Sequence, residues 1–307
     1  MSGYSFISGL VQVLGGILLC PLLPGLIQKV KAILQGRQGP DIFQPYRELR
    51  RLWGKSTVKV EGTTFIYQLA PSIACAVMVM AVLIVPISNQ SPSWGIGHDA
   101  FLLVGVICLG RFVMASATWD TQNGFGLMGA SRDVTIAVFA EAALVLSLTV
   151  AALESGTSNL RAIIESSAGG ADWASPVLPL ALMAFSLVAL AEVGRQPIDN
   201  PDTHLELTMI HEGPLLEYAG RDLAYLQWNA AARHWVVLVL MVEVFLPHAR
   251  TTLVQLIALP IELIILCIVM ATIETVVVKM RVLVAPRLLG IGTLTALMAI
   301  VAWKMAL

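Results

Sequence analysis

Charge is scarce in this sequence. Only 13% of its 307 residues are Asp, Glu, Lys or Arg, well below the roughly 25% of a soluble domain, while 57% are hydrophobic and the mean hydropathy is +0.80. A soluble globule of ordinary kind is excluded. The net charge of −1 says nothing about nucleic acid, and no basic, aromatic-rich patch for one is visible. Cysteine is equally sparse: Cys20, Cys75, Cys108 and Cys267 each stand alone in an apolar run, so no zinc or iron–sulfur spacing exists. They read as small hydrophobes of membrane helices. No internal repeat and no low-complexity tract is visible. The first 28 residues carry no charge, so the positive n-region of a signal peptide is missing. The segment reads as a retained first span, with Lys29 and Lys31 after it.

What is present is a series of long apolar runs. A bilayer core needs about 20 mostly apolar residues per helix. Eight runs are candidates: Phe6–Gln28, Phe65–Ile87, Ala100–Trp119, Val134–Leu153, Trp173–Ala191, Trp235–Pro247 with some upstream residues, Leu253–Val278 and Leu288–Leu307. The sixth is the weakest, because His248-Ala-Arg250 cuts it short, and Pro21 and Pro24 should kink the first. With eight spans, fifteen of the nineteen Lys and Arg residues fall on one face and three on the other, with Arg111 inside a span. That is a positive-inside pattern and places both termini outside the cell. The expected fold is an all-α integral membrane protein, one polytopic domain over residues 1–307, with cytoplasmic loops 29–64 and 192–234.

Charge inside the apolar runs is the next signal. Arg111, Glu141, Glu243, Glu262 and Glu274 fall within predicted spans. Intramembrane ionisable groups are expensive and mark ion pathways by default; the alternative is a structural pair, such as Arg111 with one of the acids. Arg132 and Asp133 precede Glu141 by about two helical turns, which puts Asp133 and Glu141 roughly in line. A charged ladder would enter the membrane there.

The two loops carry the rest. Seven of the twenty acids lie between Glu192 and Asp222. Asn200 and Pro201 suit a helix start, so a short helix is expected from there to about Glu212, with Asp202 and Glu206 on one face and Asp199 just outside it. Gly213-Pro214 should stop it. His204 and His211, seven apart, read as surface or interface histidines; no HExxH metal motif exists. In the first loop Gly36-Arg37-Gln-Gly39-Pro40 is turn-rich and basic. Pro45 to Trp53 reads as an amphipathic helix with Tyr46, Leu49 and Trp53 on one side and Arg47, Arg50 and Arg51 on the other. It suits a membrane surface or a docked partner.

Taken together these residues carry a resemblance. Gly36-Arg37-Gln38-Gly39-Pro40, then Gly129-Ala-Ser-Arg132-Asp133 followed by Glu141, then Glu192, Arg195, Pro197, Asp199, Glu206 and Glu217-Tyr218-Ala-Gly220 occur in one order along the chain. The pattern resembles the quinone-chamber membrane subunit of respiratory complex I and, more closely, its counterpart in group 4 nickel–iron hydrogenases of the formate hydrogenlyase and hydrogenase-4 type. Trp119-Asp120-Thr121, Gly-Ala-Ser-Arg and the Asn200–Glu212 run are similar to the hydrogenase form. Ile198 replaces the family's Phe in Pro-Phe-Asp, and His204 replaces a loop acid.

The resemblance implies a non-catalytic subunit of an oxidoreductase complex in the cytoplasmic (inner) membrane. The chain itself holds no cofactor motif, nucleophile or metal cage. Its partners would be the hydrogenase large and small subunits and an iron–sulfur protein, carrying the nickel–iron centre and iron–sulfur clusters, together with antiporter-like membrane subunits. Glu141, Asp133, Glu192, Asp199, Asp202, Glu206 and Glu217 would couple electron transfer to movement of protons or sodium ions, with Arg37, Arg111, Arg132 and Arg195 as pairing cations. Gly36, Gly39, Pro40, Tyr46 and Arg47 would form a docking or quinone-chamber-like loop. The alternative within the family is a quinone-binding subunit of a quinone oxidoreductase.

Overall fold

The computed structural model describes residues 9, 13–87, 97–167, 175–199, 210–247 and 252–306. Among these, every regular element is helical: α1 (residues 13–19), α2 (Leu22–Leu34), α3 (Gln44–Trp53), α4 (Phe65–Ile84), α5 (Ala100–Thr121), α6 (Gly124–Ser155), α7 (Leu160–Ser167), α8 (Val177–Glu192), α9 (Gly220–Phe245), α10 (Thr252–Val276) and α11 (Ala285–Ala306). Single 3₁₀ turns occupy Gly213–Leu215 and Val282–Val284. Seven helices are long and apolar enough to cross a membrane, counting α1 with α2 as one: Val13–Leu34, α4, α5, α6, α9, Val254–Val276 of α10 and Ala285–Met305 of α11. The run expected at 173–191 appears as α8, an apolar helix of 16 residues, with residues 173 and 174 outside the described part.

The helix ends follow from local chemistry. Thr64 caps α4 through Ile66 N, Asp99 caps α5 through Phe101 N and Leu102 N, and Asn123 caps α6 through Phe125 N. Each satisfies N–H groups that have no partner within the helix. Between α5 and α6 lie only Gln122, which is left-handed at φ +55°, and Asn123. Helix α6 is therefore longer than the expected Val134–Leu153 by ten residues at its start, and it carries Gly129 to Asp133 as helix. The first span breaks at Cys20 and Pro21, as the prolines predict.

One expectation holds and one needs correction. The sixth run is the least apolar of the seven long helices among the described residues, with mean hydropathy 1.2, and it ends at Phe245; yet α9 is a continuous helix of 26 residues and the most enclosed of them. Its upstream half, 220–234, resembles a loop in sequence because Arg221, Asp222, Arg233 and His234 interrupt the hydropathy; Arg221 is exposed at the helix start, while packing against protein instead of lipid lets His234 sit inside and Arg233 lie half-buried. Residues 210–212 are not helical, so the helix expected to reach Glu212 does not extend there; Asp202, Glu206 and the rest of 200–209 lie outside the described residues.

α9 runs through the centre, with Val236 to Leu240 fully buried and Phe245 against Phe185 of α8 at 4.9 Å. It packs on α4, α8 and α3; α6 packs on α8 and α11, and α2 on α10. The α5–α6 turn, the start of α9, the ends of α8 and α10 and residues 35–64 gather at one end of the bundle, held by Asp120 to Thr64 and by the ring stack of Tyr67 on Tyr218 (4.5 Å). Burial, first of all, lifts the Tyr218 phenol above its ordinary range. At the far end His98 Nδ1 meets the Ile84 carbonyl at 2.7 Å and Asp99 takes the Ser158 hydroxyl.

Candidate functional site

The centre of the loop-bearing end is Arg111, 5% exposed, on α5. Its Nη1 donates to Glu141 Oε1 at 2.5 Å, and its Nη2 donates to both oxygens of Glu192 at 2.9 and 3.0 Å. Its Nε lies 3.7 Å from Asp133 Oδ2. Asp133 and Glu141 are eight residues apart on α6, so two helical turns bring both to one face. Glu192 is the last residue of α8 and is 1% exposed. Arg233 of α9 lies within electrostatic reach of the same three acids, its Nε buried without a hydrogen-bond partner among the described residues. Two guanidinium groups thus face three carboxylates.

A second group adjoins it. Asp199 Oδ2 accepts from the backbone N of His211 at 3.1 Å and lies 3.2 Å from its Nδ1, while Lys279 Nζ stands 3.4 Å from Asp199 Oδ1. The other ring nitrogen of His211, Nε2, lies 3.5 Å from Asp133 Oδ1. Gly194 makes this possible: its φ is +64°, and a Cβ there would stand 3.0 Å from His211 Nδ1. The close crossing of Gly129 and Gly213, where a Cβ on Gly129 would come 2.8 Å from the Gly213 Cα, seats the 210–215 segment on α6.

The third group holds α2, α8, α9 and α10 together. Glu274 pairs with Arg195 Nη1 at 3.1 Å and with Lys31 Nζ at 3.4 Å. Arg195 Nε donates to His234 Nε2 at 3.1 Å, and His234 Nδ1 faces the Ala230 carbonyl at 2.9 Å. With Nε2 accepting, the proton sits on Nδ1 and the ring is neutral. Members of all three groups, among them Arg111, Glu192, Arg195 and His234, line a cavity of about 620 Å³. It runs from Pro21 and Pro24 at the break of the first span, past Gln44 and Leu49 of α3, to Arg111, Asp133, Asp199 and His211.

The expected site residues therefore divide. Asp133, Glu141, Glu192, Asp199 and Arg111 converge. Arg195 belongs to the Glu274 group, and Glu274 finds its partners within the chain. Glu217 is elsewhere: it accepts from Asn123 Nδ2, and its backbone carbonyl accepts from Tyr67 Oη at 2.7 Å. Arg132 is half-buried beside Asp133. Gly36, Arg37, Gly39 and Pro40 form an exposed turn, where Lys29 Nζ donates to the Gln38 carbonyl at 2.6 Å. Tyr46 Oη donates to the Leu18 carbonyl, and Arg47 pairs with Asp41 at 3.0 Å on the surface. In α3 Leu52 is the buried residue, and Trp53 is half exposed against Tyr225.

His211 is the chief correction. Expected only as a surface or interface histidine, it is 22% exposed and bridges two acids. Lys31, Arg233, His234 and Lys279 also escape sequence reasoning as site residues; their only signal is polarity adjoining apolar runs. Among the described residues no cluster of three His, Cys, Asp or Glu side chains could hold a metal ion.

A bundle of long apolar helices with a buried ionic cluster beside a cavity at one end is the architecture of a multi-pass membrane protein. Similarity to known proteins places it further. The profile of the NADH dehydrogenase family matches residues 8–305, and the chain belongs to that family. It is 32% identical to hydrogenase-4 component C of Escherichia coli (strain K12) over 249 residues, 81% of this chain and 78% of that one. It is 30% identical to formate hydrogenlyase subunit 4 of the same organism over 302 residues, 95% of this chain and 96% of that one. A subunit of the NADH-quinone oxidoreductase of Geobacillus sp. (strain WCH70) is more distant, at 28% over 206 residues, covering 64% and 60% of the two chains. The same fold occurs in a chain of the membrane-bound sulfane sulfur reductase, an archaeal respiratory membrane complex, with TM-score 0.82, 21% identity and coverage of 96% and 99%.

Proposed function

We propose that this chain is the membrane subunit of a group 4 nickel–iron hydrogenase-type complex. Its loop-bearing end docks a peripheral redox module and couples electron transfer to movement of protons or sodium ions. The single observation that carries the reading is the unbroken polar chain from Lys279 and Asp199 through His211, Asp133 and Arg111 to Glu141 and Glu192. Charge displaced near Asp199 by a docked electron carrier alters the field at each following group, and buried carboxylates answer such changes by binding or releasing protons. The basic loops put this end at the cytoplasm of the inner membrane, with α8 as an eighth, short span and both termini outside. Hydrogenase large and small subunits, an iron–sulfur protein and antiporter-like subunits are the partners this reading requires; they carry the nickel–iron and iron–sulfur centres. Glu141→Gln in the assembled complex should abolish coupled ion transport while the subunits still co-purify. Normal transport in that variant removes the reading.

A second reading is favoured by the cavity itself. Its volume lies in the range of about 300–1,000 Å³ typical of small-molecule sites. A lining that combines apolar side chains such as Pro21, Pro24 and Leu49 with polar ones such as Asp199 and His211 fits an amphipathic ring such as a quinone. A quinone would supply two-electron, two-proton chemistry there; His211 would hold a proton beside it. Quinone reduction by the purified complex, lost on narrowing the cavity with Leu49→Trp, is the expected result for this reading, and no reduction excludes it.

A further inference from the structure

His234 and His211 lie near each other, yet their rings face opposite kinds of partner. His234 is fixed neutral by a donor on one nitrogen and a carbonyl on the other. His211 faces a carboxylate with each nitrogen, Asp199 at Nδ1 (3.2 Å) and Asp133 at Nε2 (3.5 Å). A neutral imidazole has one N–H and one lone pair, so it can donate to only one of those acids; the imidazolium donates to both. Asp199 belongs to the loop after α8 and Asp133 to α6, and the ring of His211 spans the gap between them.

We propose that His211 is the proton-transfer residue joining Asp199 to Asp133, and that the link conducts only by passing through its imidazolium form. This rests on the coupling reading above. The proposed resting tautomer carries its proton on Nε2, towards Asp133 at 3.5 Å, with the Nδ1 lone pair towards Asp199 at 3.2 Å. A protonated Asp199 carboxyl gives its proton to Nδ1, which makes the imidazolium. Nε2 then releases its proton to the Asp133 carboxylate. One proton has moved from Asp199 to Asp133, and the ring is neutral with its proton on Nδ1. The side chain is 22% exposed, so proton exchange with water returns it to the resting tautomer. The charged and titratable groups around the ring are Asp133 of α6, Asp199 of the loop, Glu192 of α8 and His234 of α9, all within contact or electrostatic reach. Arg111 lies beyond Asp133 and Lys279 beyond Asp199. The two guanidinium groups and three carboxylates of the Arg111 group balance in charge once His211 is cationic.

The test uses the intact complex with its partner subunits in closed lipid vesicles, reading ions moved per electron. H211Q should lower the ratio at least tenfold while the subunits still co-purify, because an amide cannot accept and release the proton. A wild-type ratio in H211Q overturns the proposal. E141Q, run in parallel, separates two failures: loss in E141Q but not in H211Q removes His211 alone, and loss in neither removes the coupling reading with it. Should H211Q fail to assemble, G194A carries the test. Its Cβ crowds Nδ1, so a reduced ratio is expected, and an unchanged ratio overturns the proposal.

Discussion

The two ends of the bundle treat buried acid in different ways. At the loop-bearing end Glu141 and Glu192 are held by the guanidinium of Arg111, with Asp133 beside it. In the far half of α9, Glu243, 1% exposed, accepts from the amide of Gln255 at 2.6 Å. A carboxyl facing an amide keeps a hydrogen bond in either protonation state, since the amide can donate or accept. A carboxylate locked on a guanidinium cannot take a proton without loosening a cation. Protonation at the loop-bearing end is therefore tied to movement of charge around it, and the proposed coupling needs that link. At the far end it need not be.

Mutation can break this contrast. The largest effect is expected from Arg111→Leu, which leaves three carboxylates without their shared cation. Removing one partner of a buried pair costs about 3–5 kcal/mol, so loss of the assembled complex on mild heating is the readout. Next comes Glu243→Leu, which strands the Gln255 amide at about 1–3 kcal/mol. Glu243→Gln keeps a hydrogen bond and should be nearly neutral in the same melt. If Glu243→Gln destabilises as much as Arg111→Leu, the distinction between the ends is lost. The smallest effect belongs to Asp99→Ala at the far end, about 1 kcal/mol for a lost helix cap. The Ser158 hydroxyl and the Leu102 and Phe101 N–H groups hold the Asp99 carboxyl below its ordinary range. A depressed folded value means that its contribution is complete above the ordinary carboxylate range and is lost as pH falls through the depressed value. Thermal melts of wild type and Asp99→Ala should therefore converge in acid.

Most of the architecture could be read from hydropathy, because a span of lipid-facing residues announces itself. The runs that became α4, α5 and α10 needed little else. Reading failed where a helix is enclosed by protein: the first half of α9 carries Arg221, Asp222, Arg233 and His234, so its hydropathy resembles a loop. The eight-residue spacing of Asp133 and Glu141 was legible as one face, and Arg111 was recognised as a candidate partner for the acids. Which acids it would gather was not, since Glu192 arrives from another helix 81 residues away in sequence. His211 was misjudged for the same reason: an isolated histidine has no periodic signal, and both of its acids come from elsewhere in the chain. Glu217 lies in the same motif, yet its described contacts run to the α5–α6 turn and not to the Arg111 group, which no spacing in the sequence foretells.

The proposed coupling requires transmission between Asp199 and Glu141, and a double-mutant cycle tests that most directly. Ions moved per electron should be measured for Asp199→Asn, Glu141→Gln and the pair together in the reconstituted complex. If both act in one chain, the double variant is no worse than the more impaired single variant, a strong non-additivity of the kind found within one network. Independent, multiplying losses would mean that the two acids serve separate purposes, and the proposed link between loop and membrane would be wrong.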